Sequence, residues 1–466
     1  MGRAAPYNPA VPTPPPRVSV VLPAPRLPEP LGALHAVAEA QHPFLRLARG
    51  PGFRGTPWSF LAIEPTAVLR TGHIAGGRSL AERLAALRPE AVRRVGPAVP
   101  FAGGWAGMLG YEARAAVERT PPPRRGPLGF PALWLGRYDA VAAWNHRTGE
   151  RFLCGLGATR REAEAAARAL GRRVRARPAA SDRAPKPVRP PRPQLDATTY
   201  QGAIRAARAA VLRGDIFQTN VSQRFDAGVD VGPRELFERL VASQPAPYMT
   251  YLDLGAGRVV LSASPERFLR VRGRTVETDP MKGTRPRGAT RREDRHLRAE
   301  LEASAKDMAE LAMIVDLSRN DLARVCDAGS VRVTVPRRLL AFARVHQAIA
   351  VVRGRLARGH DRIDALQAAF PPGSVTGAPK VRAMEIIDEL EGEGRGPYCG
   401  ALGWFDAGGG MDLSVAIRTI LLAGRRASYR VGGGITLGSD PHDEWRETLD
   451  KGRGLFAALC GQEDVS

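Results

Sequence analysis

Two segments carry acidic side chains at helical spacing. In Lys306-Asp307-Met308-Ala309-Glu310 two carboxylates lie three residues apart, and Glu444, Glu447 and Lys451 follow one another at spacings of three and four. On a helix each set shares one face. Two such faces meeting would form an oxygen-rich, octahedral Mg²⁺ cage; left apart, they are solvated charge pairs of little energetic weight. Gly432, Gly433 and Gly434 precede the second set in the segment VGGGITLGSDP. Consecutive glycines let backbone N–H groups approach an anion closely, although a plain turn also uses them.

Of the 69 basic residues only five are lysine: Lys186, Lys282, Lys306, Lys380 and Lys451. In a chain that uses arginine almost everywhere, each lysine becomes a site candidate, because lysine can lose its proton and attack carbon while arginine in effect cannot. Four of the five lie in Gly- or acid-rich segments: PMKGT, AKDMAE, GAPKVR and LDKGR. Arg418, among apolar neighbours in DLSVAIRTI, needs a carboxylate or phosphate partner, from the protein or from a ligand. Glu266 in SASPERF is either a solvated acid or a general acid with a raised pKa. Tyr398 and His346 read as core residues or as ligand contacts.

These residues need elements to hold them. The pattern predicts strands at Arg17–Leu22, Trp58–Ile63, Ala132–Leu135 and Tyr138–Trp144, and helices near Leu31–Ala40, Leu80–Leu87 and 160–177. A helix from Thr198 to Arg213, stopped by Gly214, precedes a strand Ile216–Phe225 whose alternation puts Gln218, Asn220, Ser222 and Arg224 on one face. Arg258–Ser262 follows, then a hairpin of Arg267–Arg272 and Arg274–Thr278 across Gly273. One long helix is expected from Arg292 to Val325, and a second hairpin from Ala401–Asp406 and Asp412–Leu422. Hairpin clusters separated by long helices argue for α+β rather than βαβ repeats. The domains expected are an irregular Pro-rich start (1–17), an N-terminal subdomain (18–177), a Pro/Arg-rich linker (178–195) and a catalytic domain (196–466).

The net charge of +22 raises a nucleic-acid reading. Residues 1–195 hold 30 basic and 12 acidic residues, the remainder 39 and 35, so the excess belongs to the first part. The basic tract 160–193 has no aromatic residue, which speaks against nucleic-acid binding. No apolar run is long enough for a membrane span, the start lacks the apolar core of a secretory signal, and four scattered cysteines suit a reducing cytoplasm. There is no GxxxxGK[ST] loop and no GxGxxG between strand and helix.

The ordered segments GDIFQTNVSQRF, SASPERFL, ETDPMKGTRPRG, KDMAELAMIVDLSRNDLARV, FPPGSVTGAPKVRAMEIIDELEG, YCGALGW, VAIRT and GGGITLGSDPHDEWRETLDKG resemble the chorismate-utilising enzyme family. Within it they are most similar to the component I branch of the aminodeoxychorismate synthases. The resemblance implies large antiparallel sheets packed as a sandwich with helices outside, as in anthranilate synthase component I. Water-adding members carry lysine where this chain has Gln218, and anthranilate synthases a small residue at Lys282; the aminodeoxychorismate branch has lysine there. Two alternatives are anthranilate synthase component I and an aminodeoxyisochorismate synthase.

The resemblance also implies roles. Mg²⁺ is held by Glu310 and Glu447, supported by Asp307 and Glu444. Glu266 protonates the leaving C4 hydroxyl of chorismate, Lys282 attacks C2, and ammonia displaces it to give 4-amino-4-deoxychorismate. Arg418, Tyr398, Gly432, Gly433, Gly434 and Lys451 grip the substrate carboxylates, and Gln218, Thr284, His346, Thr376 and Gly377 line the pocket. No glutaminase motif is present, so a separate glutamine amidotransferase subunit is expected to supply ammonia. Pro372 and Ser414 depart from the family pattern. FLRLARG lacks the Leu-Glu-Ser pattern of a tryptophan feedback site, so no tryptophan inhibition is expected.

Overall fold

The computed structural model describes residues 16–48, 57–72, 82–175, 190–342 and 344–461. Its strands form one sheet of 13 and one of 10. Pairing is mostly antiparallel, but Arg17–Pro23 and Val92–Val95 run parallel. The sheets face each other across a shared core: Phe60 of the larger meets Trp404 of the smaller edge-to-face at 5.8 Å, among Met108, Trp134 and Val260. Helices cover the outer faces, through Leu236, Leu240, Leu455 and Leu459 on one side and Leu322, Ile363 and Met384 on the other. This is the α+β sandwich expected. Strands buried on both faces explain why Trp58–Ala62 and Leu133–Tyr138 read as nearly continuous apolar runs.

Both sheets contain strands from either side of the Pro/Arg-rich tract, of which only residues 190–195 are described. Phe44–Leu47 pairs with Tyr248–Gly255 in the larger sheet, and Gly104–Leu109 with Ala401–Asp406 in the smaller. Of the Pro-rich start, residues 1–15 lie outside the described residues. Arg46, from the FLRLARG segment, crosses between the sheets and donates to Thr250 Oγ1 and Ser414 Oγ, both at 2.9 Å.

The hairpin across Gly273, which takes φ +55°, forms as expected. Two other expectations are corrected. The long helix is two helices, Arg291–Ala303 and Ala305–Ala323, separated by Ser304 at ψ 107°. Ser304 leaves the helical region because its hydroxyl caps the second helix, accepting from Asp307 N at 3.2 Å. The expected strand Asp412–Leu422 is also two: Met411–Val415 belongs to the smaller sheet and Thr419–Ala423 to the larger. The chain changes sheets over residues 416–418, with Arg418 in the left-handed region at φ +50°. Arg418 therefore sits at the crossover rather than within a strand.

Candidate active site

Four elements converge on Lys282. The strand Gln218–Gly228 pairs with Arg426–Ile435 so that Asn220 faces Gly434, Val221 faces Gly433 and Ser222 faces Gly432. The strand Met281–Pro286 carries Lys282 and is packed under the helix Ala305–Ala323. After Gly434 the chain turns into the helix Pro441–Cys460, whose N-terminus is capped by Asp440. That helix carries Glu444, Glu447 and Lys451.

Space is tight at the glycines where these elements touch. A Cβ on Gly433 would stand 2.4 Å from Glu444 Oε2. One on Gly432 would meet Val221 O at 2.3 Å. Lys451 Nζ donates to Gly432 O at 3.0 Å and pairs with Glu447 at 2.7 Å. Gln218 is fully buried, yet neither its amide nitrogen nor its oxygen has a partner. Such groups are costly inside a protein unless something satisfies them.

The acids form one electrostatic group. Burial lifts Glu310 above the usual carboxylate range, with Lys282 pulling the other way. Burial, then Glu447, lifts Glu444, whose Oε1 accepts from Ser439 at 2.7 Å while its buried Oε2 has no partner. Lys451 holds Glu447 below the usual range. Burial works against the charge of Lys451, but Glu447 and Glu444 raise it. Asp307 pairs with Arg285 at 3.2 Å. Glu310, Glu444 and Glu447 thus offer carboxylate oxygens from two helices, one of them orphaned and buried, the donor type a hard divalent cation takes, although the three do not all bring an oxygen within 4.8 Å of the others.

Burial pulls the Lys282 ammonium down from the lysine range, against the pull of Glu310. Glu266 is 5% exposed, and burial pushes its carboxyl up to about 7, opposed by a hydrogen bond from Ser374 and by Lys282. Burial brings Arg418 down to about 10, with Glu266 as the charge that supports it. A carboxyl held above its usual range, an ammonium held below its own and a guanidinium supported by that carboxyl thus act on one another here.

Other expected site residues have different surroundings. Thr376 is buried and donates to Pro372 O at 2.6 Å, its carbonyl accepting from Asn220 N; Gly377 pairs with Thr219 on the Gln218 strand. Tyr398 is buried with the Arg395 guanidinium 5.7 Å from its ring centre, and burial holds its hydroxyl well above the usual tyrosine range. Thr284 Oγ1 accepts from Gln347 at 3.3 Å. His346 turns to Asp294, at 2.9 Å, which also binds Arg287.

Sequence reasoning missed Ser439, Ser374, Arg285 and the brace of Glu391 with Arg395. Arg395 donates to Val375 O, Asn220 O and Glu391, tying the 373–378 segment to the Gln218 strand. Ser439 could have been found from its place between the glycine run and the capped helix; the others lie far in sequence from what they hold.

The family described as chorismate binding enzyme matches residues 51–457. Anthranilate synthase component 1 of Streptomyces coelicolor is 39% identical over 86% of this chain and 80% of its own length. Aminodeoxychorismate synthase of Streptomyces griseus is 37% identical over 92% of this chain, which spans 59% of that longer protein. The crystal structure of anthranilate synthase component I from Streptococcus pneumoniae superposes with a TM-score of 0.75 at 29% identity, covering 87% of this chain and 93% of that one. With its sandwich fold and the site assembled from its shared motifs, the chain belongs to the chorismate-binding enzyme family.

Proposed function

We propose that this chorismate-utilising enzyme aminates chorismate to 4-amino-4-deoxychorismate, with Lys282 as a covalent catalyst. The observation that carries this reading is the position of Lys282: its Nζ and the Gln218 amide both lie beside Gly434, and Glu310, Glu266 and Glu447 act on its charge. A lysine enclosed there, with its charge disfavoured by burial, is suited to attack on carbon. Glu266 donates its proton to the C4 hydroxyl, which leaves as water as the Lys282 amine bonds to C2 and sheds a proton. Ammonia then bonds to C4, and the C2–N bond breaks to return the lysine. The enolpyruvyl group stays in place.

Glu310, Glu447 and Glu444 would hold Mg²⁺, with Asp307 beside them. When bound, Mg²⁺ supplies charge neutralisation and orientation for a substrate carboxylate. Arg418, Lys451 and the backbone of Gly432–Gly434 offer the remaining donors for a doubly anionic substrate. Ammonia would come from a separate glutamine amidotransferase subunit.

A second reading is anthranilate synthase component I, favoured by the larger share of such names among the relatives. Identification of the product by mass, from purified chain with chorismate, Mg²⁺ and ammonium at high pH, separates them. Aminodeoxychorismate supports the first reading. Fluorescent anthranilate formed without any added lyase establishes the second and removes the first.

A further inference from the structure

A small cavity of about 20 Å³, room for one water, lies beside Glu266. Its polar walls are Glu266, Arg267, Thr278, Ser318, Asp321 and Ser374. Asp321, on the last turn of the helix Ala305–Ala323, pairs with Lys380 Nζ at 2.8 Å. Lys380, at the start of the helix Lys380–Glu391, also donates to Ala369 O at 2.9 Å. Both partners are buried, 9% and 8% exposed. A buried ion pair is weak evidence of stabilisation, since packed apolar residues serve as well. Here Asp321 of the pair and Glu266 line the same water-sized polar cavity.

We propose that Asp321 and Lys380 are positioning residues for Glu266, acting through a water in this cavity that hydrogen-bonds to both carboxyl groups. The water gives Glu266 a fixed partner besides Ser374, and the balance of charge in the pair sets how readily Glu266 holds its proton. Glu266 is otherwise faced by Lys282 and Asp279 from its strand neighbours and by Arg418 from the crossover; Asp321 is faced by Lys380, Arg324 and Glu118. The proposal rests on the reading of Glu266 as the acid, but its test needs no turnover.

The test is the infrared titration of the Glu266 carboxyl band in the full chain, identified by difference from Glu266→Gln. Asp321→Asn leaves the Lys380 cation unbalanced, so the Glu266 midpoint is expected to fall by about one pH unit. Lys380→Met added to Asp321→Asn removes that cation and should return the midpoint to the wild-type value. Lys380→Arg alone should leave it in place. A pair that merely clasps two helices would move thermal stability without moving this midpoint. An unmoved midpoint in Asp321→Asn, or no return in the double variant, overturns the proposal. So does a high-resolution crystal structure of the wild-type chain with no water between the two carboxyl groups, which decides the matter if the single variant does not fold. Failure of the wild-type chain to aminate chorismate, measured separately, overturns the functional reading and not this one.

Discussion

Gly434 and Lys282 are fitted to each other by space: a Cβ on Gly434 would stand 2.8 Å from Lys282 Nζ and 2.6 Å from Gln218 Nε2. The missing side chain at one residue thus leaves the space that the tip of the other occupies. Gly434→Ala is expected to push Lys282 and Gln218 aside and lower turnover by about 10²-fold, the scale of an ångström-level misplacement. Steady-state kinetics together with a thermal melt would check this. Wild-type turnover in a folded Gly434→Ala protein would show that the close approach is not needed.

Lys282 itself makes a sharper prediction. If it bonds to the substrate, intact-protein mass spectrometry of the chain quenched during turnover shows an adduct that is absent from Lys282→Ala, and Lys282→Ala makes no aminodeoxychorismate. Full activity of Lys282→Ala with ammonium would remove the covalent step. A shift of product to anthranilate in that variant would instead support a role in choosing between the two outcomes.

The Glu266 carboxyl, pushed up to about 7 by burial, has consequences for both rate and stability. As an acid it must be protonated, so the rate step that depends on it should decline as pH rises through about 7. Glu266→Gln should lose about 10²–10⁴-fold in rate and lose that dependence. The sign for stability is the same. In the folded state the group keeps its proton between the ordinary carboxyl value of 4.5 and about 7, where the unfolded chain releases it. Folding stability therefore falls as pH rises through this window, by about 3 kcal/mol in total, and is flat above it. Denaturant titrations at pH 5 and pH 8 should show this decline in the wild type and its absence in Glu266→Gln.

The carboxylate set predicts a linked metal effect. Mg²⁺ at 100 times its dissociation constant should stabilise the chain by about 2.7 kcal/mol, and Glu310→Gln should abolish that increment while leaving the metal-free melt nearly unchanged. Ser439 orients Glu444 through a 2.7 Å hydrogen bond. Ser439→Ala should weaken Mg²⁺ binding about tenfold or more, as outer partners of a metal ligand do. Calorimetry reads both, and equal Mg²⁺ affinity in Glu310→Gln would show that the acids serve another purpose.

Local order was largely written in the sequence. The spacing of Asp307 with Glu310 and of Glu444 with Glu447 and Lys451 set their helical faces. Gly214 marked the end of the helix before the Gln218 strand, and Gly273 marked its hairpin. The motif set pointed to chorismate chemistry before any geometry. These are properties of a few neighbouring residues, decided by backbone periodicity and capping. What only the tertiary structure decided was which distant residues meet. Gln218, Lys282 and Gly434 come together because strands far apart in the chain pair in one register, which depends on burying the right face of each sheet. Ser304 breaks a helix that looked continuous because capping the second helix outweighs continuing the first. Arg418 lies between two sheets rather than within a strand because its segment belongs to both, and His346 turns to Asp294 because a helix from elsewhere packs over its strand. Those outcomes come from the competition for burial over the whole chain, which no local pattern records.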